Sequence, residues 1–220
     1  IGFSEIMARE PATAEHEVCY KCHGDHNPVV ATIPRRQPQS NMRLQLSPTA
    51  VSFHPVGSPG RSTEVPSLRP GWATSSTMEC SDCHASDSGA SSGEHGSAFS
   101  GLLVSRLTTA DRSAESASAY GLCYRCHDRA SILSDRSFSQ HRKHIVEERT
   151  PCTVCHDSHG IASGGGSPTG NSHLINFATN VVFAERSSGR LEYRDTGVYS
   201  GECFLSCHGV NHAPARYRPR

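Results

Sequence analysis

Four times in 220 residues the chain repeats Cys-x-x-Cys-His, at Cys19–His23, Cys80–His84, Cys123–His127 and Cys152–His156. A fifth copy carries one extra residue, Cys203-Phe204-Leu205-Ser206-Cys207-His208. With 10 Cys and 14 His in the chain, chance alone gives about 0.03 matches to the shorter pattern, so the repetition is not accidental. Two thiols and an imidazole at this spacing read as a covalent haem c site, in which both cysteines form thioethers and the histidine binds iron. All ten cysteines are then used as pairs: Cys19 with Cys22, Cys80 with Cys83, Cys123 with Cys126, Cys152 with Cys155, Cys203 with Cys207. His23, His84, His127, His156 and His208 become the proximal iron ligands.

Composition turns this motif into a constraint on folding. Val, Leu, Ile and Phe make up 38 of 220 residues, about 17%, while Gly, Pro and Ser make up 64, about 29%. Such a chain lacks the apolar side chains for a core of its own. Five tethered haems supply large apolar discs in their place, and the tethers offset much of the ordering entropy. The expected fold is therefore mostly irregular coil with a few short α-helices and one β-hairpin (about 180–194), wrapped around five haems as a single domain over residues 1–220. Without haem the chain is expected to be largely unfolded.

Local signals are sparse. The proline-rich segment 27–78 reads as an extended loop. Ala114 to Ile132 is a helix candidate through the third site, and Ser137 to Arg149 is a better one, with Ser137 as N-cap. That helix would place His141 and His144 on one face. Asn180–Glu185 and Arg190–Arg194, separated by Arg186-Ser187-Ser188-Gly189, give the hairpin.

Nine histidines lie outside the motifs, whereas methionine, the competing distal ligand, occurs only as Met7, Met42 and Met78. Bis-histidine iron is the expectation. His54, His95 and His173, each alone in a long segment between sites, are distal candidates, joined by His144 and His159. His141, His212, His16 and His26 are the reserve. His159 follows His156 by three residues and His26 follows His23 by three, so each sits on the proximal side of its own haem. Either can bind only the iron of a neighbour, and His212 after His208 is placed the same way. Only two cations are lysine, so Arg35, Arg36, Arg43, Arg125, Arg129, Arg136 and Arg142 are candidates to pair with haem propionates, against the plainer reading of a solvated Arg-rich surface.

The balance of 21 basic against 21 acidic residues argues against a nucleic-acid partner. No apolar run approaches the length of a membrane span. A start at Ile1 is expected to follow removal of an export leader.

The stretch Cys152 to Gly160 (CTVCHDSHG), with His141-Arg142-Lys143-His144 before it, resembles the doubled-CxxCH multihaem cytochromes, periplasmic and extracellular electron carriers. The resemblance implies covalent haem c, export before attachment, bis-histidine ligation and a bacterial or archaeal respiratory role; an electron-transfer protein, not an enzyme, is the expectation. Some members of this broad class are extracellular filaments, which implies head-to-tail copies of the chain as partners, beside redox proteins or extracellular acceptors. The alternatives are a soluble periplasmic shuttle and a small multihaem oxidoreductase with one open haem. The latter lacks the C-x-x-C-Lys motif of pentahaem nitrite reductases. A zinc module is a further alternative, but zinc has no use for His after every second Cys.

Overall fold

The computed structural model describes residues 11–25, 32–87 and 96–219. Regular structure is scarce in it. The first helix, α1 (Glu15–His23), carries Glu15 and Glu17 in its first turn and Lys21 and His23 in its last, which suits the helix dipole. The backbone N–H of Thr13 donates to Glu17 Oε2 at 2.6 Å and closes its start. Two single-turn helices, α2 (Met42–Gln45) and α3 (Arg129–Leu133), are capped by Asn41 and Asp128, whose side chains accept from Leu44 N at 3.2 Å and Ser131 N at 2.6 Å. The last is α4 (Cys152–Cys155).

The long helices expected over 114–132 and 137–149 are not continuous. The first reduces to a 3-10 turn, Cys123–Arg125, followed by α3, because the Asp128 side chain caps a new start there. In the second, a helical start at His141 widens into a π-helical turn, Lys143–Glu147. The Glu148 N–H donates to Lys143 O at 2.9 Å, the five-residue step that defines it.

Among the described residues there are two small sheets. Strands β1 (Ser52–Phe53) and β2 (Gly160–Ile161) pair antiparallel, with Phe53 opposite Gly160. The other sheet contains β3 (Val182–Phe183), β4 (Glu192–Gly197), β5 (Ser200–Cys207) and β6 (Val210–Tyr217). Here the expected hairpin over 180–194 is corrected: β3 and β4 both pair with β5, opposite Cys207–Ser206 and Phe204–Ser200, so they run end to end along one edge. Residues 184–191 loop out between them. Glu185 organises this loop, accepting from Ser187 N at 2.8 Å, Ser188 N at 2.6 Å and Asn211 Nδ2 at 2.7 Å. Those bonds hold its carboxyl well below the usual range. The true hairpins are β4–β5 and β5–β6. The second closes through His208 and Gly209, both with positive φ (49° and 83°), the two-residue turn that matches strand twist.

Among the described residues the buried side chains form three small clusters, not one core. Val154, Phe177, Val182, Tyr193 and Leu205 form the first, with Cys155, Cys203 and Cys207 packed against it. Tyr120, Tyr124, Ala119 and Ile145 form the second, bordered by Cys152. Leu46, Val56 and Met78 form the third, bordered by Cys80 and Cys83. Every cluster thus ends at motif cysteines.

Candidate haem sites

The Cys-x-x-Cys-His motifs are short helical turns, and their spacing explains why. Three and four residues bring side chains to one face of a helix, so both thiols and the imidazole point the same way. Site one lies on α1 and site four on α4, while sites two and three are 3-10 turns at Cys80–Asp82 and Cys123–Arg125. The histidine N–H donates to the first cysteine's carbonyl at site two (2.8 Å), site three (3.0 Å) and site four (2.9 Å).

Site five differs in kind, because Cys203 and Cys207 lie on strand β5. Strand side chains alternate, so a spacing of four keeps both thiols on one face, where a spacing of three would separate them. Leu205 shares that face, with Tyr193 opposite Cys203, Val182 opposite Cys207 and His212 opposite Leu205.

The imidazoles of the inner sites are held ready to bind through Nε2. Nδ1–H of His84 donates to Gly101 O at 2.9 Å and that of His156 to His173 O at 2.8 Å, while His127 Nδ1 meets Ser67 Oγ at 3.0 Å. Two other histidines are held in the same way: His54 Nδ1–H donates to Ser158 O at 2.6 Å and His144 Nδ1–H to Gln140 O at 2.8 Å. Such outer bonds fix the tautomer and ring direction of metal-binding histidines. Burial pushes His127, His156 and His159 down to about 4 and His141 to about 3, and lowers His54 as well. They are neutral near pH 7, the form that binds a metal.

Two pairs of histidine rings lie close together. His84 and His159 have centroids 6.1 Å apart with planes inclined by 13°, and His141 and His156 are 6.5 Å apart at 40°. Two imidazoles that shared one metal ion would need centroids about 6 Å apart. The β1–β2 ladder sets His54 next to this arrangement, since the His54 N–H donates to His159 O at 2.9 Å. Phe138 packs against both His141 and His144, its ring 5.1 Å from one and 5.5 Å from the other.

Other expected residues are placed differently. His173, in the left-handed region (φ 55°), has Nε2 3.2 Å from Asp195 Oδ2 and supports His156 through its carbonyl. His208 Nε2 lies 3.0 Å from both Asp111 oxygens, so at site five the residues do not present a free Nε2. His16 packs in its own chain, 5.5 Å from the Tyr20 ring, with a buried Nδ1 that lacks a protein partner. His212 is half-buried on β6, near His144 and Lys143, and burial lowers its pKa. His23 is exposed at the end of α1. His26 and His95 lie outside the described residues, as does Met7.

The arginines are divided. Arg35 is 8% exposed and donates from Nη1 to Thr153 O at 2.6 Å and Asn176 O at 2.9 Å, and from Nη2 to His156 O at 3.2 Å. It braces site four from beneath, and spacing gave no signal for this role. Arg43 pairs with Asp25 and Arg129 with Glu115. Among the described residues no ion pair engages Arg36, Arg125, Arg136 or Arg142. Arg125 and Arg69 line an open cleft of about 300 Å³ with Trp72, Asp82 and Cys126.

The cysteines are unbridged. Among the described residues one group could hold an ion, Glu15, Cys19 and Cys80. The paired thiols therefore do not converge into four-ligand zinc sites. Sites two, three and four fit haem c by thiol spacing, anchored imidazoles and apolar surroundings.

No curated protein and no solved structure matches the chain. Residues 73–132, which hold sites two and three, match the family described as the doubled CXXCH motif. The chain thus carries the doubled CXXCH motif of the multihaem c-type cytochromes, proteins of electron transfer.

Proposed function

We propose that the chain holds five haems c with bis-histidine iron and passes electrons along them, as an exported protein and a subunit of an extracellular cytochrome filament. Each bound haem would supply a one-electron iron couple. The chain's own residues hold the rings, exclude water and set the axial ligands. The observation that carries this reading is the pairing of His84 with His159 and of His141 with His156, at ring separations that suit a shared iron. We assign His159 as distal ligand of site two and His141 of site four. His54, a neighbour of His127, serves site three, and His144 or His212 serves site five. A ligand for site one falls to His16, His26, His95 or His173.

The test is intact mass with a visible and electron paramagnetic resonance spectrum of purified protein. The expected result is five covalent haems, all low-spin. Fewer than five, or no Soret band, refutes it. The hold of Asp111 on His208 favours a second reading, an oxidoreductase whose fifth haem keeps an open position; a high-spin ferric signal in the resting protein would establish it.

Two observations support self-assembly. Among the described residues β6 pairs only with β5, leaving its outer edge free. Val210, at its start, is exposed. Electron microscopy of negatively stained protein is expected to show polymers, and uniformly small particles at every concentration would leave the soluble shuttle. No described helix is long and apolar enough to cross a membrane.

A further inference from the structure

The cysteines meet between motifs. Cys19 of site one and Cys80 of site two, with Glu15, have their ligand atoms within 4.8 Å of one another. Glu15 also fastens the two motifs, accepting from Ser81 N at 2.8 Å and from Ser81 Oγ at 2.7 Å. Ser81 is the residue between the thiols of site two, so α1 is anchored on that motif itself.

The other side of site two faces site three. Asp82, beside Cys83, shares the walls of one cleft with Arg125 and Cys126. Cys83, next in the chain to Asp82, lies near Cys126 and Cys123. Site three in turn meets site four through its first cysteine, since the Cys123 and Cys152 side chains are neighbours. Tyr124, inside motif three, belongs to the cluster on which Cys152 packs. Cys155, the second cysteine of site four, packs on the same apolar cluster as Cys203 and Cys207 of site five.

Each inner motif therefore uses its two cysteines in two directions. Cys80 faces site one and Cys83 site three; Cys126 faces site two and Cys123 site four; Cys152 faces site three and Cys155 site five. A haem c is tethered along one edge by its two thioethers, so cysteines that share a cleft or an apolar cluster bring ring edges together. We infer that the five haems are strung in sequence order, one to two to three to four to five, in a single unbranched path whose ends are sites one and five. The order rests on the reading of five covalent haems proposed above. His159, reaching from the site-four segment to His84, braces sites two and four across site three without adding an edge contact.

The order determines which site matters for what. Loss of an end haem shortens the path, and loss of the middle one cuts it. Donor and acceptor then meet the chain at opposite ends, near α1 and near the β5–β6 turn.

The experiment uses the full holoprotein. Intact mass counts the haems first, and a count below five overturns the parent reading before the order is considered. With five present, a crystal or cryo-microscopy structure is expected to show the shortest ring-to-ring contacts between sites one and two, two and three, three and four, and four and five. An edge contact from site one to three, four or five, from site five to two or three, or a contact of two with four shorter than those of three, overturns the order and leaves electron transfer standing. A pair of variants gives an independent readout in redox titrations followed by nuclear magnetic resonance of the haem methyl signals. Cys203→Ala with Cys207→Ala is expected to remove only the coupling to site four, and Cys19→Ala with Cys22→Ala only the coupling to site two. Changed coupling between sites two and three in the first variant, or between three and four in the second, refutes the order. Should a variant not fold, the holoprotein structure decides alone.

Discussion

Arg35→Met tests whether site four is held from beneath by a buried cation. The guanidinium donates to three carbonyls, those of Thr153, Asn176 and His156, and its Nε lies 3.6 Å from Asp157 Oδ2. Burial lowers its pKa while Asp157 raises it back, and it remains charged at neutral pH. Methionine has similar length but no donors, so three carbonyls and one carboxylate lose a partner in a region where the side chains are 8% and 12% exposed. Asp157 keeps only the Asn176 Nδ2 donor at 3.0 Å and the His159 N–H at 3.2 Å. Removing one partner of a buried pair costs about 3–5 kcal/mol. For a chain of this size each kcal/mol lowers the melting temperature by about 2–4 °C, so the expected loss is roughly 6–20 °C. Trp72 is the single tryptophan, and its emission, quenched by nearby haem, rises on unfolding and reports the transition. Arg35→Lys keeps the charge but not the fork, and is expected to lose about half as much. A methionine variant that melts within about 2 °C of the parent would show that the haem tethers, not Arg35, hold site four, and would refute the argument.

Gly160→Ala would place a Cβ 2.6 Å from Ser52 O and 2.9 Å from Phe53 Cα, besides a clash with Gln45 O. All three are backbone atoms, so the β1–β2 ladder must open, at about 1–3 kcal/mol or more, and the spectra of the haems using His54 and His159 are expected to change together. His159→Met should raise one haem's potential and give that haem a methionine-ligated spectrum, with the count of covalent haems unchanged; an unaltered spectrum would sink its assignment to site two. In haem-free protein, far-ultraviolet circular dichroism is expected to show no cooperative thermal transition. For Glu185 the folded carboxyl is held below its ordinary 4.5, so the native state binds fewer protons than the unfolded one. Its contribution is present above about pH 4.5 and is lost as pH falls below it. Amide exchange over 184–191 should therefore quicken in acid, and a pH-independent rate after correction for intrinsic exchange would refute this.

How much of this was legible depended on whether a feature is local. The turn at the first four motifs follows from spacing alone, and so does the argument that His159 cannot reach its own iron. Its partner His84 was not legible, because a two-residue ladder between Phe53 and Gly160 orients that segment, and so short a pairing leaves no pattern in composition. Nor was it legible that Phe138 packs against both His141 and His144, or that His141 is the one whose ring lies near His156. The hairpin over 180–194 failed for the opposite reason. Its two arms and its Ser187-Ser188-Gly189 turn are sound local signals, and the chain does turn there, with Glu185 N–H donating to Arg190 O at 2.6 Å. Yet β5 offers both arms a longer partner, and pairing with it puts Val182 and Tyr193 on the face that carries Cys203, Leu205 and Cys207, against Val154 and Phe177. Burial of that face outweighs the few hydrogen bonds of a free hairpin, which is marginal alone. The extra residue of the fifth motif belongs to the same logic: in a strand, a spacing of four keeps both cysteines on the buried face that meets site four, and a spacing of three would turn one of them away.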